Sequence, residues 1–351
     1  MDFEHVVIGA GIEGSATAYS LAEMGKGKQT LLLEQFPLPH TRGSSHGASR
    51  ITRRVYSCGE PYVSMMAVAH DKWDALERMT GATLFTKTGL LRVVAGGAHR
   101  LESLAQPLRN AKLPFEKLDV DQINQRYNRA LIFAKDKNDW CGLFDPEAGV
   151  LHANKCLSAF QRLFQTGGGT IRDGEPVTKI EPVGDRVVVH TSKRMYTAQN
   201  VVLCTGPWGD RLVRPLGVKL PLRLCQDAGD YYRDPDRRGT VDPDKRDLIL
   251  AQNDKLWAKA SAFLQKHYPG VDSSAPAISE SCILTYTPDE HFILDRLPNH
   301  PNVILGLGMS GHAFKLAPVV GDILADLALN RTPKHDMSTF SISRFDRNAK
   351  L

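Results

Sequence analysis

No stretch of this sequence approaches the ~20 consecutive apolar residues that a membrane-spanning helix needs, so a membrane protein is not expected. No basic segment precedes an apolar one at the N-terminus; a strand pattern begins at His5, which does not fit a secretory leader. The six cysteines (58, 141, 156, 204, 225 and 282) include no CxxC pair, which sets aside a zinc framework and a disulfide scaffold and fits a reducing compartment. No metal-spaced histidine pair and no Ser/His/Asp arrangement is visible, so neither metalloenzyme nor hydrolase chemistry is expected. Charge of one sign is also scarce. The net charge is +5, and the groups Arg50/Arg53/Arg54 and Arg237/Arg238 lack the interleaved aromatics that stack bases, so nucleic acid is not an expected partner. Compositional extremes are missing too: 42% hydrophobic and 24% charged residues are ordinary globular values. The 351 residues exceed what one compact core usually holds, which points to two domains.

What is present begins at residue 5. His5-Val6-Val7-Ile8 is a short apolar, β-branched run of the kind that forms a buried parallel strand. Gly9-Ala10-Gly11-Ile12-Glu13-Gly14 follows and leads into a segment with helical spacing, with Gly25 as its expected C-cap. A second strand, Thr30-Leu31-Leu32-Leu33, ends at Glu34. Each part has a physical task in binding a dinucleotide. Gly9 permits the tight turn, Gly11 lets the backbone approach a pyrophosphate, and Gly14 lets helix and strand pack closely. The helix N-terminus offers unpaired N–H groups and a positive dipole end to the phosphates. Glu34, twenty residues after Gly14, is placed to accept from a ribose 2′-OH. A glycine-rich turn in another fold would explain neither Glu34 nor the strand before Gly9.

The fingerprint alone leaves FAD and NAD open. A later region favours FAD: a turn at Asp173-Gly174 enters a strand at Val177, a second strand follows over 186–191, and Asn200-Val201-Val202-Leu203 reads as a buried strand ending at Thr205-Gly206-Pro207-Trp208. This order resembles FAD enzymes of the glutathione-reductase-like type, in which the position of Val177 supplies backbone contacts to the adenine. A simple NAD dehydrogenase needs no such late return to the nucleotide domain.

Four stretches make a narrower resemblance specific: 42–53 (RGSSHGASRITR), Cys282 with 287–295 (TPDEHFILD), 308–315 (GMSGHAFK), and the turn Thr205-Gly206-Pro207-Trp208. They resemble the monomeric sarcosine oxidase family of FAD-dependent amine oxidases, which includes N-methyltryptophan oxidase and L-pipecolate oxidase. The peroxisomal animal members are nearest, because LLLEQFPLPHTRGSSHGASR runs almost unbroken along their pattern. The resemblance covers nearly the whole chain apart from about 220–265. It implies hydride transfer from the carbon next to a secondary amine, in sarcosine or L-pipecolate, to FAD, with oxygen as the final acceptor and hydrogen peroxide as a product. By the same resemblance Lys315 binds the substrate carboxylate with Arg53 as its partner, Arg50, Ser45 and His46 lie close to the flavin, and Cys282 carries FAD covalently. The turn containing Gly308 and Gly311, before an expected helix over 313–329, would offer N–H groups to the flavin. Without the family, Arg50 and Arg53 would read as surface charges, Lys315 as a solvated helix residue, His46 as a loop residue and Cys282 as a small buried hydrophobe.

The chain also departs from that pattern. A strand expected over 220–225 runs directly into a proline-containing, loop-like stretch at 230–238, and 247–271 reads as helical. Roughly 40 residues, enough for several strands of ~5–6 residues, are absent near 226–235. No equivalent of the family's lysine and histidine on those strands is found. Leu284 stands in place of a tyrosine, and Ala313 in place of a glycine.

The expected architecture is α/β: a Rossmann-like FAD/NAD-binding domain drawn from 1–84, 149–215 and 281–351, with a smaller α+β substrate domain containing a mixed sheet at 85–148 and 216–280. The expected partners are a small amino-acid substrate, oxygen, and the peroxisomal import receptor through Ala349-Lys350-Leu351, a variant of the S-K-L address. A monomer is expected. A non-enzymatic FAD-binding remnant, a flavin dehydrogenase with a protein acceptor, and a pure interaction protein remain as alternatives.

Overall fold

The structure, a computed structural model, describes residues 1–54, 61–128, 130–135, 139–227, 243–245, 254–275 and 282–348. Cys58, the 230–238 stretch with Arg237 and Arg238, and Ala349-Lys350-Leu351 lie outside the described residues.

The apolar run at the N-terminus forms the strand Asp2–Ile8, central to an eight-stranded mixed sheet. It pairs in parallel with Thr30–Leu33 on one side and with Met195–Leu203 on the other. Thr170–Arg172 extends the first side, and His300–Leu307 joins the second in parallel through Val303–Leu305. Antiparallel strands complete the sheet: Val177–Val183 and Arg186–Thr191 form a ribbon leading into Met195–Leu203, and Ile293–Leu297 folds onto His300–Leu307.

Near-continuous apolar strands are what a sheet covered on both faces requires, because alternate side chains point to opposite sides. Val7, Leu32, Val202 and Ile304 enter the core under the helices Ile12–Leu21, Ala153–Thr166 and Ala317–Ala328. Their neighbours Val6, Leu31, Val201 and Val303 enter a second core with Ile180, Val187 and Leu212. Leu32→Ala would cost about 2–5 kcal/mol by opening a cavity in the first of these layers.

The first helix begins at Ile12 and breaks at Gly25, whose φ of +80° places it in the left-handed region expected of a cap. The helix expected over 313–329 starts as a tighter turn, Phe314–Leu316, and continues as Ala317–Ala328. Ala313 has a φ of −79°, so an alanine there is unstrained where the family pattern has glycine.

The remaining described strands form three small antiparallel sheets. Arg50–Thr52 and Phe85–Lys87 flank Gly149–Leu151; Leu90–Val94 and Glu116–Leu118 flank Cys141–Asp145; Arg223–Asp227 pairs with Cys282–Tyr286. The strand expected over 220–225 therefore starts three residues later, at Arg223. The helix expected over 247–271 is described as Asp254–His267, and its end anchors where the His267 ring stacks on Phe133 at 4.3 Å. Among the described residues no helix is long and apolar enough to cross a membrane, and no group of three or more His, Cys, Asp or Glu is placed to hold a metal.

Candidate active site

A cavity of ≈ 430 Å³ opens where the parallel strands end, the position at which open α/β sheets receive ligands. Its floor is the glycine turn. Gly9 has a φ of +100°, and a Cβ there would sit 2.4 Å from the Cys204 carbonyl oxygen; one on Gly14 would sit 1.9 Å from the Gly9 oxygen. A side chain on Gly14 would push the helix off the turn, and one on Gly9 would push the turn off the end of the neighbouring strand. Gly11 leaves the helix N-terminus open toward Ser45, whose Oγ accepts from the Ile12 N–H at 2.9 Å.

Glu34 fastens this turn to the second strand. Its Oε2 accepts from the Ala10 N–H at 2.8 Å and its Oε1 from the Phe36 N–H at 3.1 Å, with His40 Nε2 at 3.3 Å. An ionised carboxylate has about four acceptor sites, so acceptor capacity remains for a ribose hydroxyl. Val177 lines the same end of the cavity. The rim is built by Phe36 edge-on to Trp208 at 5.7 Å, and by Trp208 Nε1, which donates to Asp244 Oδ1 at 2.9 Å.

Arg50 organises the other end. Its guanidinium donates to the carbonyls of Ser44 (2.9 Å), His46 (2.7 Å) and Ser49 (2.7 Å), lies 3.9 Å from Cys282 Sγ, and covers the Phe314 ring at 5.3 Å. Ser44 Oγ donates to the Ile283 carbonyl at 2.6 Å, which ties the 42–50 loop to the strand carrying Cys282. Ser44, Ser45, Arg50, Ile283, Leu284 and Phe314 face the cavity. Leu284 thus presents an apolar surface where the family pattern has a tyrosine.

Lys315 is buried, and its carbonyl accepts from Trp73 Nε1 at 2.9 Å. His312, on the cavity wall, is pushed down to about 4: burial dominates, the Glu290 carbonyl bound to its Nε2 opposes, and the charges of Lys315, His291 and Arg53 add to the depression. The imidazole is therefore neutral at pH 7 and lies within the field of both cations. Gly308 and Gly311 have positive φ values, +64° and +76°, and shape the turn ahead of Lys315.

The structure brings Gly9, Gly11, Glu34, Ser45, Arg50, Val177 and Gly311 onto one cavity wall, whereas Gly14, His46, Arg53, Cys282, Gly308 and Lys315 are not on it. Cys282 nevertheless reaches it through Arg50, and Lys315 and Arg53 through the field they impose on His312. Sequence reasoning missed His312, quoted in its stretch without a role, and Glu13, a variable position of the fingerprint. It also missed Asp244, whose link to Trp208 spans 36 residues.

The glycine cradle, the helix N-terminus and the acid at the end of the second strand fit a dinucleotide with two phosphates and a ribose. The family model for FAD dependent oxidoreductases matches residues 4–327. The chain belongs to that family. Within it the chain belongs to the sarcosine oxidases, a group of amine oxidoreductases. Human peroxisomal sarcosine oxidase is 37% identical across 98% of this chain and 96% of its own length. The monomeric sarcosine oxidase of Bacillus sp. (strain NS-129) is 32% identical across 97% of each. Among solved structures, NikD, an amino acid oxidase of nikkomycin biosynthesis, superposes with a TM-score of 0.81 at 24% identity, covering 97% of each chain. L-proline dehydrogenase from P. horikoshii superposes at 0.82 with 19% identity, covering 99% of this chain and 98% of its own. These two likenesses speak to the fold alone. The FAD dependent oxidoreductase fold accounts for the sheet and cavity above, and FAD is the family's cofactor.

Proposed function

We propose that this flavoprotein oxidises a small secondary amino acid, sarcosine or L-pipecolate, with oxygen as acceptor and hydrogen peroxide as product. The reading is carried by the far end of the cavity, where Arg50, Cys282 and Phe314 meet beside His312 and the cations Lys315 and Arg53. FAD, when bound, supplies the hydride acceptor and the route for electrons to oxygen. The protein's own task is to anchor, orient and keep water out. Lys315 and Arg53 bind the substrate carboxylate. Both cations also favour the amine in its uncharged form, the form from which a neighbouring C–H gives up hydride. His312, neutral at pH 7, adds no further positive charge. Arg50 and His46 lie beside the isoalloxazine end, Gly308 and Gly311 shape the turn that faces it, and Cys282 tethers it covalently.

The nucleotide domain is assigned to 1–84, 149–215 and 281–351 and the substrate domain to 85–148 and 216–280, shortened near 226–235. The comparison with the human relative runs over 384 positions, more than the chain's 351 residues, so this chain carries gaps against it. That observation favours a second reading: FAD is bound while oxidase turnover is low, because missing strands leave the substrate pocket open to water. Peroxisomal residence, through Ala349-Lys350-Leu351, is supported by the compartment named for the human and mouse relatives. The protein acts as a monomer. Peroxide release on adding sarcosine or L-pipecolate to the purified protein tests the oxidase reading. Release at a rate near that of a full-length relative supports it, and a yellow protein that releases none leaves the second reading.

A further inference from the structure

The first turn of the fingerprint helix holds a group that the dinucleotide pattern does not call for. Glu13 is 7% exposed and lines the cavity, yet neither carboxyl oxygen has a hydrogen-bond partner. Beside it on the same wall, Thr205 Oγ1 is also buried without a partner. Buried polar atoms are nearly always paired, so two orphans in one ligand cavity point to a ligand, or water held with it, as the missing partner.

We propose that Glu13 is a cofactor-positioning acid that binds FAD in its protonated form, donating a hydrogen bond at the pyrophosphate, so that at alkaline pH FAD binding takes up a proton. This rests on the FAD reading and adds a residue to it. The electrostatics follow from place. An ionised carboxylate in the first helical turn would repel two phosphates that the same turn attracts, whereas a neutral acid offers an O–H. Burial alone pushes the Glu13 carboxyl up to about 8.

Among the described residues no cation is hydrogen-bonded to the Glu13 carboxyl. Cys204, at the end of the strand Met195–Leu203, is the titratable group facing it, and burial first and the Glu13 charge second push that thiol upward. From the helix Ala153–Thr166 the neutral Gln161 amide reaches this end and donates to the Ala10 carbonyl at 3.1 Å. From the helix Ala317–Ala328, Asp322 accepts from Ser20 Oγ at 2.8 Å, two turns further along the fingerprint helix. Glu34, His40, Arg50, Arg211, Asp244 and His312 line the same cavity but contribute no shift at Glu13.

The test measures FAD affinity by flavin fluorescence in the full chain carrying Cys282→Ala, so that no covalent bond hides the equilibrium. The range is about pH 6.5 to 9.5. The expected result is a Kd that is flat below about pH 8 and then rises by up to ~10-fold per pH unit. Calorimetry in buffers of different ionisation enthalpy should show proton uptake on binding at the alkaline end and none at the acid end. Adding Glu13→Gln should flatten the profile and remove the proton uptake. Equal slopes in the two proteins, or a flat profile with no proton uptake in the Cys282→Ala parent, would overturn the role of Glu13. If Glu13→Gln does not fold, the parent's profile and proton uptake decide alone. Absence of FAD binding at every pH would instead overturn the FAD reading and the inference with it.

Discussion

The Arg50 guanidinium lies 3.9 Å from Cys282 Sγ while its other hydrogen bonds hold the carbonyls of Ser44 and His46. One side chain thus joins the loop after the second nucleotide strand to a strand more than two hundred residues later. Arg50 sets both the shape of the cavity's far end and the charge beside the sulfur.

A direct consequence concerns the flavin link. Cys282→Ala should give a protein whose yellow colour stays in the supernatant after acid precipitation, whereas the parent's stays in the precipitate. Arg50→Lys should slow acquisition of the acid-stable colour, because an ammonium cannot hold three carbonyls in a planar fork. Colour released from the parent by acid would remove the covalent link.

Lys315 leads to a kinetic prediction. Lys315→Met keeps the length and apolar stem of the side chain but removes its charge. FAD content should be retained, while kcat/KM for an amino-acid substrate should fall by roughly 10- to 100-fold, the scale of one lost charge-assisted contact of about 1.5–3 kcal/mol. An unchanged KM would contradict the carboxylate-anchoring role.

Three histidines, His5 and His70 buried and His312 partly buried, contribute to the acid stability. His5, His70 and His312 are each pushed down from 6.5 to about 4, with burial as the largest cause in every case. The unfolded chain therefore takes up protons near pH 6.5 that the folded one refuses until about pH 4. The contribution of these three groups is fully present above pH 6.5 and is lost as pH falls through that window, while Glu13, raised to about 8, works in the opposite direction. Thermal melts at falling pH should show this decline, and His70→Gln, which can keep a polar contact with Thr52 Oγ1 (now 3.2 Å from the ring), should make it shallower. A pH-independent Tm across the window would contradict it.

How much of this was legible from residues alone depends on how local each constraint is. The fingerprint was legible because Gly14 answers to Gly9 within its own strand–turn–helix unit and Glu34 to that same turn, although the contact that demands glycine at position 9 comes from distant Cys204. The central strands were legible because burial on both faces demands unbroken apolar runs. The helix ends at His267, short of the expected 271, because Pro269 and Gly270 follow. Three-residue strands such as Arg50–Thr52 and Phe85–Lys87 carry no readable period, so their pairing with Gly149–Leu151 came only from the structure. Glu13 escaped for another reason: the pattern constrains the glycines around it and leaves that position open.

The most direct test of an FAD-dependent amine oxidase is to add sarcosine, and separately L-pipecolate, to the purified yellow protein without oxygen and record its visible spectrum. Bleaching by either amine, reversed on admitting air, is the predicted result. A spectrum unchanged by both would contradict amine oxidation of these substrates at this site.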